Sequence, residues 1–308
     1  MTAAGSLLVL GTAQLGGSYG IANRSGIPSQ EAAVAMVEAA LEGGIDTFDT
    51  ASGYGASEEV LGRALATLGV AEHVHVVTKV LPMAPEVLAD AGLARAAIEA
   101  SLDRSRERLR LATLPTVLFH REEDAVHLPA LAELRYAGWC EHIGVSVSNF
   151  AGPAAGFART PGVDALQVPL NVFDRRHLEG GTLAAAQQNG VTVYVRSVFL
   201  QGLVLMPEEQ IHPQLHDIIP ARRAVHSLAA EAGLSPAELA VRYVLSQPGD
   251  VRLVLGAETL EQVRANVVLA SSGPLPADLV AATDAVVGDL RRFLVTPNDW
   301  VGLIPPGS

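Results

Sequence analysis

Residues 44–65 read GIDTFDTASGYGASEEVLGRAL. The stretch opens as an apolar strand, crosses a turn carrying Gly53 and Gly55, and closes as a helix with Glu58 and Glu59 in its first turn. Asp49 and Tyr54 stand on that turn, where the strand stops. A strand that leads directly into a helix is the repeating unit of a parallel α/β fold. Polar side chains at such a junction sit where folds of this kind do their chemistry.

Working outward, seven more short β-type runs share the pattern. With residues 44–50 they are LLVLGTA (7–13), VHVVTKV (74–80), TVLFH (116–120), HIGVSVS (142–148), DALQVPL (164–170), VTVYVRS (191–197) and VRLVLGA (251–257). Helical patterns separate them, with apolar residues recurring at three- and four-residue spacing over 29–44, 57–69, 89–110, 124–138, 221–233, 235–247 and 259–270. Ser29, Ser57, Ser235 and Thr259 stand at expected helix starts. Ser235 with Pro236 and Glu238, and Thr259 with Gln262, have the spacing of capping boxes. Gly43, Gly69, Gly138, Gly190 and Gly233 fall where helices should stop. Eight such units in 308 residues predict one (β/α)8 barrel spanning residues 1–308 as a single domain. A doubly wound sheet is the alternative. The long interruption at 203–220, after the seventh strand, is placed to cover a ligand.

Hydrophobic residues make up 49% of the chain and charged residues 18%, which supports a large core and argues against extensive disorder. The net charge of −12 argues against nucleic acid or an anionic membrane as the main partner. Cys140 is the one cysteine, so an intrachain disulfide is excluded. The N-terminal stretch lacks the basic n-region of a signal peptide, and no apolar run approaches the roughly 20 residues of a membrane helix. The expectation is a soluble cytoplasmic protein.

The polar residues at the C-terminal strand ends are Asp49 and Tyr54, Lys79, His120, Ser148 and Asn149, Gln167, and Arg196 with Ser197. Each alone reads as a solvated terminus or a structural ion pair. Together, Asp49, Tyr54, Lys79 and His120 come from three successive βα junctions and can converge. A free phenol, with a pKa of about 10, is a poor acid at neutral pH. A nearby ammonium favours its phenolate. Lys79 can supply that charge, Asp49 can hold Lys79, and His120 can orient a carbonyl oxygen toward the phenol. Such a set delivers a proton to an oxygen that is gaining negative charge.

At this point the chain resembles the aldo-keto reductase superfamily. The matching pieces are LGTAQLG, residues 44–65, TKV, LFH, GVSVSNF, LQVPLN, RSVFLQGL and LVLGAETLEQVRAN, in the family's order over nearly the whole chain. The resemblance implies a (β/α)8 barrel that binds a nicotinamide cofactor without a Rossmann fold, and no GxGxxG follows the first strand. It implies that Tyr54 donates the proton, that Lys79 and Asp49 tune it, and that His120 positions substrate. It assigns Ser148, Asn149 and Gln167 to the carboxamide. Gly256, Thr259, Gln262 and Asn266 go to the adenosine end, where the start of the last helix suits phosphate. NADP(H) is favoured narrowly over NAD(H). Many relatives hold the 2′-phosphate with Lys, Arg or Ser at the turn where this chain has Ala257, Glu258 and Gln262, with Arg264 nearby. A second departure is Arg196, which stands where relatives place an aromatic residue against the nicotinamide. Tyr194 shares its face of the strand but lies deeper.

The expected activity is interconversion of an aldehyde or ketone and its alcohol. Two alternatives remain: a lyase using Lys79 as a Schiff-base amine, and a nicotinamide-binding regulatory protein like a channel subunit. No metal is expected. His73 with His75, and His212 with His216, have ligand-like spacing but no completing carboxylate or cysteine. Arg104, Arg106, Arg108 and Arg110 read as a solvated helix face. Trp300 either lines the substrate pocket or pins the C-terminal segment.

Overall fold

The computed structural model describes residues 7–17, 26–147, 151–300 and 303. Its eight strands are β1 (Leu8–Gly11), β2 (Thr47–Asp49), β3 (His75–Val80), β4 (Leu114–Phe119), β5 (Cys140–Ser146), β6 (Ala165–Pro169), β7 (Thr192–Arg196) and β8 (Val251–Gly256). All neighbours pair parallel in sequence order, and β8 returns to β1 through Leu8 opposite Leu253 and Gly11 opposite Gly256. That closure makes a barrel and removes the doubly wound alternative. Every expected strand is present.

Side chains alternate across each strand. One set packs outward beneath the helices. The inward set forms a separate layer of Val9, Val77, Leu118, Ala165 and Tyr194, with Val254 against it. One strand step nearer the C-terminal end, the inward positions are Asp49, Lys79, Gln167 and Arg196. The barrel floor is therefore apolar, and its upper layer is polar.

Helix starts follow the expected chemistry in three cases. Ser29 accepts from the Ala32 amide, Ser235 from Glu238 and Thr259 from Gln262. Ser57 departs from it. The helix Ser57–Leu68 starts after Ala56, which makes no side-chain cap. The Ser57 hydroxyl instead donates to the Thr12 carbonyl at 2.7 Å and lies 2.9 Å from the Thr50 hydroxyl. It ties the end of β1 to the turn after β2. Glycine makes that approach possible. A Cβ at Gly16 would lie 1.8 Å from the Tyr54 carbonyl oxygen, and one at Gly55 would lie 2.3 Å from that of Gly16.

The arginine run is also more structural than a solvated face. Arg108 pairs with Glu58 at 3.4 Å, and Glu58 is buried. Arg106 stacks over Trp139, 5.1 Å from its ring centre. Arg110 ends the helix Ala91–Leu109 in the left-handed region, at φ 60°. Trp300 is fully buried and donates to the Phe293 carbonyl at 2.7 Å. It pins the C-terminal segment.

Two glycines on helices should respond to alanine with opposite signs. At Gly62 a Cβ would lie 2.1 Å from the Arg108 carbonyl oxygen, whereas at exposed Gly156 it would meet nothing within 4 Å. Gly62→Ala should cost about 1–3 kcal/mol through overpacking. Gly156→Ala should gain about 0.5–1 kcal/mol of helix stability. Urea unfolding of both variants measures this, and shifts of the same sign would contradict the packing described.

Candidate active site

Asp49, at the end of β2, gathers donors from two directions. Lys79 Nζ on β3 donates to Asp49 Oδ1 at 2.8 Å, and Gln167 Nε2 on β6 reaches the same oxygen at 2.7 Å. Lys79 also donates to the Thr50 carbonyl at 2.7 Å. The Ser146 hydroxyl lies 3.4 Å from Gln167 Oε1 and donates to it. All four side chains are buried. Burial by itself pulls the lysine pKa down. The charge of Asp49, then that of Tyr54 and the hydrogen bonds to both, outweigh it and hold Lys79 above the usual lysine value. Lys79 is a locked ammonium.

That ammonium lies 5.0 Å from the centre of the Tyr54 ring. On another side, His120 meets Tyr54 edge-on, with ring centres 5.5 Å apart and planes at 83°. Burial pushes His120 down to about 3, and the charges of Lys79, Arg196 and Arg121 add to the shift. It is neutral at pH 7, and its buried Nδ1 has no hydrogen-bond partner. Tyr194 contrasts with Tyr54. It lies in the apolar floor, where burial raises its pKa to about 12.

The turn carrying Tyr54 is braced from below. Glu58 accepts from Thr78 Oγ1 at 2.7 Å and from Ser52 at 3.4 Å, and Ser52 lies 3.0 Å from the Ser105 hydroxyl. The buried carboxylate thus joins the turn to β3 and to two helices.

A cavity of about 590 Å³ opens at this end of the barrel. Asp49, Tyr54, Arg196 and Ser197 line it, and so do Gly256, Gln262 and Asn266. Its wall includes Phe199, Gln201, Leu205, Met206 and Gln210, so the expected covering segment after β7 is in place. Arg222 holds that segment through the carbonyls of Val204 and Met206. Ser197, Leu200 and Gln201 there all have positive φ, between 48° and 63°, a concentration of backbone strain typical of functional sites.

The other expected residues are placed differently. Lys79, His120 and Gln167 stand behind the cavity wall, and Gln167 braces Asp49. Thr259 caps the helix Leu260–Ser271, while Gln262 folds back to accept from the Glu258 amide at 2.7 Å. Asn266 donates to the Gly256 carbonyl at 3.2 Å. Ser148 and Asn149 lie outside the described residues. Residues missed from the sequence include Gln14, Gln201 and Ser146. Gln14 and Ser146 had the strand-end signal, whereas Gln201 sits in a turn with no local signature. Among the described residues, no helix is long and apolar enough to cross a membrane. Among the described residues, no group of three or more His, Cys, Asp or Glu is placed to hold a metal ion.

Comparison with known proteins gives a consistent picture. A family model described as the aldo/keto reductase family matches residues 7–287. The aldo-keto reductase YhdN of Bacillus subtilis is 28% identical over 284 residues, covering 84% of this chain and 83% of that protein. A putative voltage-gated potassium channel subunit beta of Schizosaccharomyces pombe is 29% identical over 258 residues, covering 73% of this chain and 74% of that protein. Among solved structures, a glycerol dehydrogenase of Gluconobacter oxydans superposes with a TM-score of 0.71 at 26% identity, covering 93% of this chain and 94% of that one. An aldo-keto reductase of Bacillus halodurans in its holo form, 21% identical with a TM-score of 0.75 over 94% of this chain and 95% of that one, shares the fold.

Three histidines with lowered pKa values, His177 buried and His75 and His120 half-buried, contribute to the response to acid. His75 is pushed down to about 4 by burial and then by the charges of His142 and Arg252. His120 and His177 are pushed to about 3, His177 by burial and then by Arg176 and Arg196. Unfolded, each titrates near 6.5. Below that pH the unfolded chain binds more protons, so stability falls as pH drops toward 4. Each histidine contributes a slope of up to about 1.4 kcal/mol per pH unit. Urea unfolding at pH 7 and pH 5 should show the loss, and His177→Asn should flatten it. A flat profile over that interval would contradict the burial described.

Proposed function

The chain belongs to the aldo/keto reductase family, a family of oxidoreductases acting on carbonyls and alcohols with nicotinamide cofactors, and from that premise we propose that Tyr54 is its proton donor in carbonyl reduction. The observation that carries this reading is the placement of Tyr54 on the cavity wall, with the Lys79 ammonium 5.0 Å from its ring centre and the neutral His120 imidazole edge-on at 5.5 Å.

The residues fit a nicotinamide dinucleotide. The cavity is lined by polar groups, among them Asp49, Tyr54, Arg196, Gln201 and Asn266, and by apolar side chains such as Val198, Phe199 and Leu205. Gln201 Oε1, on its wall, is a buried acceptor without a donor, suited to an amide or hydroxyl group. Gly256 leaves its backbone bare beside Gln14. Arg196 and Ser197 would hold the nicotinamide end, and Gln262 and Asn266 the adenosine end. The resemblance adds Ser148, Asn149 and Thr259. When bound, the reduced cofactor supplies a hydride to the carbonyl carbon.

The protein's own part is proton chemistry and orientation. As the carbonyl oxygen gains charge, Tyr54 gives up its proton. The adjacent ammonium stabilises the phenolate left behind. Asp49 and Gln167 keep that ammonium in place, and its charged state persists because Asp49 is beside it. Neutral His120, edge-on to the Tyr54 ring, can help to orient the phenol toward the carbonyl oxygen. In the oxidative direction the phenolate accepts the proton. The Schiff-base alternative needs an unprotonated amine. Lys79 instead donates to Asp49 and to the Thr50 carbonyl and is held above its usual pKa, which weighs against it.

Tyr54→Phe keeps the ring and removes the proton. It should lower kcat for aldehyde reduction by about 10²–10⁴-fold, the usual worth of a general acid, with cofactor affinity unchanged. Steady-state kinetics beside a fluorescence titration tests this. Wild-type turnover in the variant would remove Tyr54 from the proposed role.

A further inference from the structure

Among the described residues Arg196 forms no ion pair, although its charge reaches Asp174 and pulls that carboxyl down against the upward push of burial. It ends β7 and lines the same cavity as Asp49 and Tyr54. Other cations around it are paired. Lys79 meets Asp49 at 2.8 Å, Arg121 meets Asp124 at 2.9 Å and Arg176 meets Asp174 at 2.7 Å. Arg196 contacts only neutral groups, the Ser197 hydroxyl at 3.3 Å and the Val147 carbonyl at 3.4 Å. Among the described residues no carboxylate lies within ion-pair distance of it. Asn171 Nδ2 fixes the backbone just after Arg196 by donating to the Ser197 carbonyl at 2.9 Å. The field of Arg196 reaches His120, adding to the downward shift that burial and Lys79 produce.

We propose that Arg196 makes this site discriminate between the redox states of its nicotinamide cofactor, holding the reduced form more tightly than the oxidised form. The inference rests on the cofactor reading above. A reduced nicotinamide ring is neutral, whereas the oxidised ring carries one positive charge. In carbonyl reduction a ring C–H bond breaks with its electron pair, which forms the new C–H bond at the carbonyl carbon. The oxygen takes its proton from Tyr54, and the ring is left cationic. That charge arises in the cavity that Arg196 lines without an ion-pair partner among the described residues. Like charges that share one cavity, at the effective dielectric of such sites, repel by enough to change affinity about tenfold.

Two consequences follow for this protein. The oxidised product leaves readily and inhibits weakly, which suits the site to work as a carbonyl reductase. The bound cofactor's midpoint potential rises by about 30 mV for each tenfold preference, so the bound reduced form is a milder hydride donor than the free one.

The test is a binding measurement. Full-length wild type, Arg196→Gln and Arg196→Lys are titrated with NADH, NADPH, NAD⁺ and NADP⁺ at low salt, using tryptophan fluorescence and equilibrium dialysis. The readout is the ratio of Kd for the oxidised form to Kd for the reduced form. Wild type should exceed Arg196→Gln in this ratio by about tenfold or more, and Arg196→Lys should retain most of the preference. If Arg196→Gln weakens both forms equally, or leaves the ratio within twofold of wild type, the residue is structural and the inference is overturned while the cofactor reading stands. If wild type binds none of the four at millimolar concentration, the cofactor reading falls, and this inference falls with it.

Discussion

The site depends on one buried contact, the 2.8 Å bond from Lys79 Nζ to Asp49 Oδ1. Both side chains have left water, at a cost of several kcal/mol each. That cost is offset only because each has further partners. Asp49 takes Gln167 from across the barrel, and Lys79 takes the Thr50 carbonyl. Strands β2, β3 and β6 are thereby fixed relative to one another at the level where the cavity begins. Without Asp49, the same burial would drive Lys79 toward neutrality. The ammonium beside Tyr54 is thus a product of the fold.

The barrel interior explains why two tyrosines on the same scaffold differ. Tyr194 sits one strand step below Arg196 in an apolar layer, and burial keeps its proton on. Tyr54 sits on a turn above the strands, within reach of a fixed cation. The turn holds its shape because Glu58, Ser52 and Ser57 are bonded into neighbouring elements, and because Gly16 and Gly55 let two loops touch through their backbones. The polar groups are gathered at the strand ends, above an apolar floor.

Much of this was legible in the sequence. Apolar runs and helix punctuation located all eight strands, since both depend on local spacing. The gathering of Asp49, Tyr54, Lys79 and His120 was legible because each stands at or just after the C-terminal end of a strand, and neighbouring strand ends converge in a barrel. Residues whose roles come from packing were not legible. Ser57 looks like a cap by its neighbours, yet its hydroxyl meets Thr12, 45 positions away. Gln167 has the chemistry to hold an amide, but its place is set by Asp49, 118 positions away. Arg108 reads as one of a solvated run until its partner Glu58 is seen to be buried. The turn from Ser197 to Gln201 adopts positive φ at residues other than glycine, which no local preference announces.

The central claim is that Lys79 and Asp49 act as one buried unit. Unfolding free energies of wild type, Lys79→Met, Asp49→Leu and the double variant test it most directly. Removing either partner alone should cost about 3–5 kcal/mol, because the other charge is left buried without its match. The double variant should be at least as stable as either single one, with a strongly non-additive cycle. Additive losses, summing across the two sites, would contradict the account.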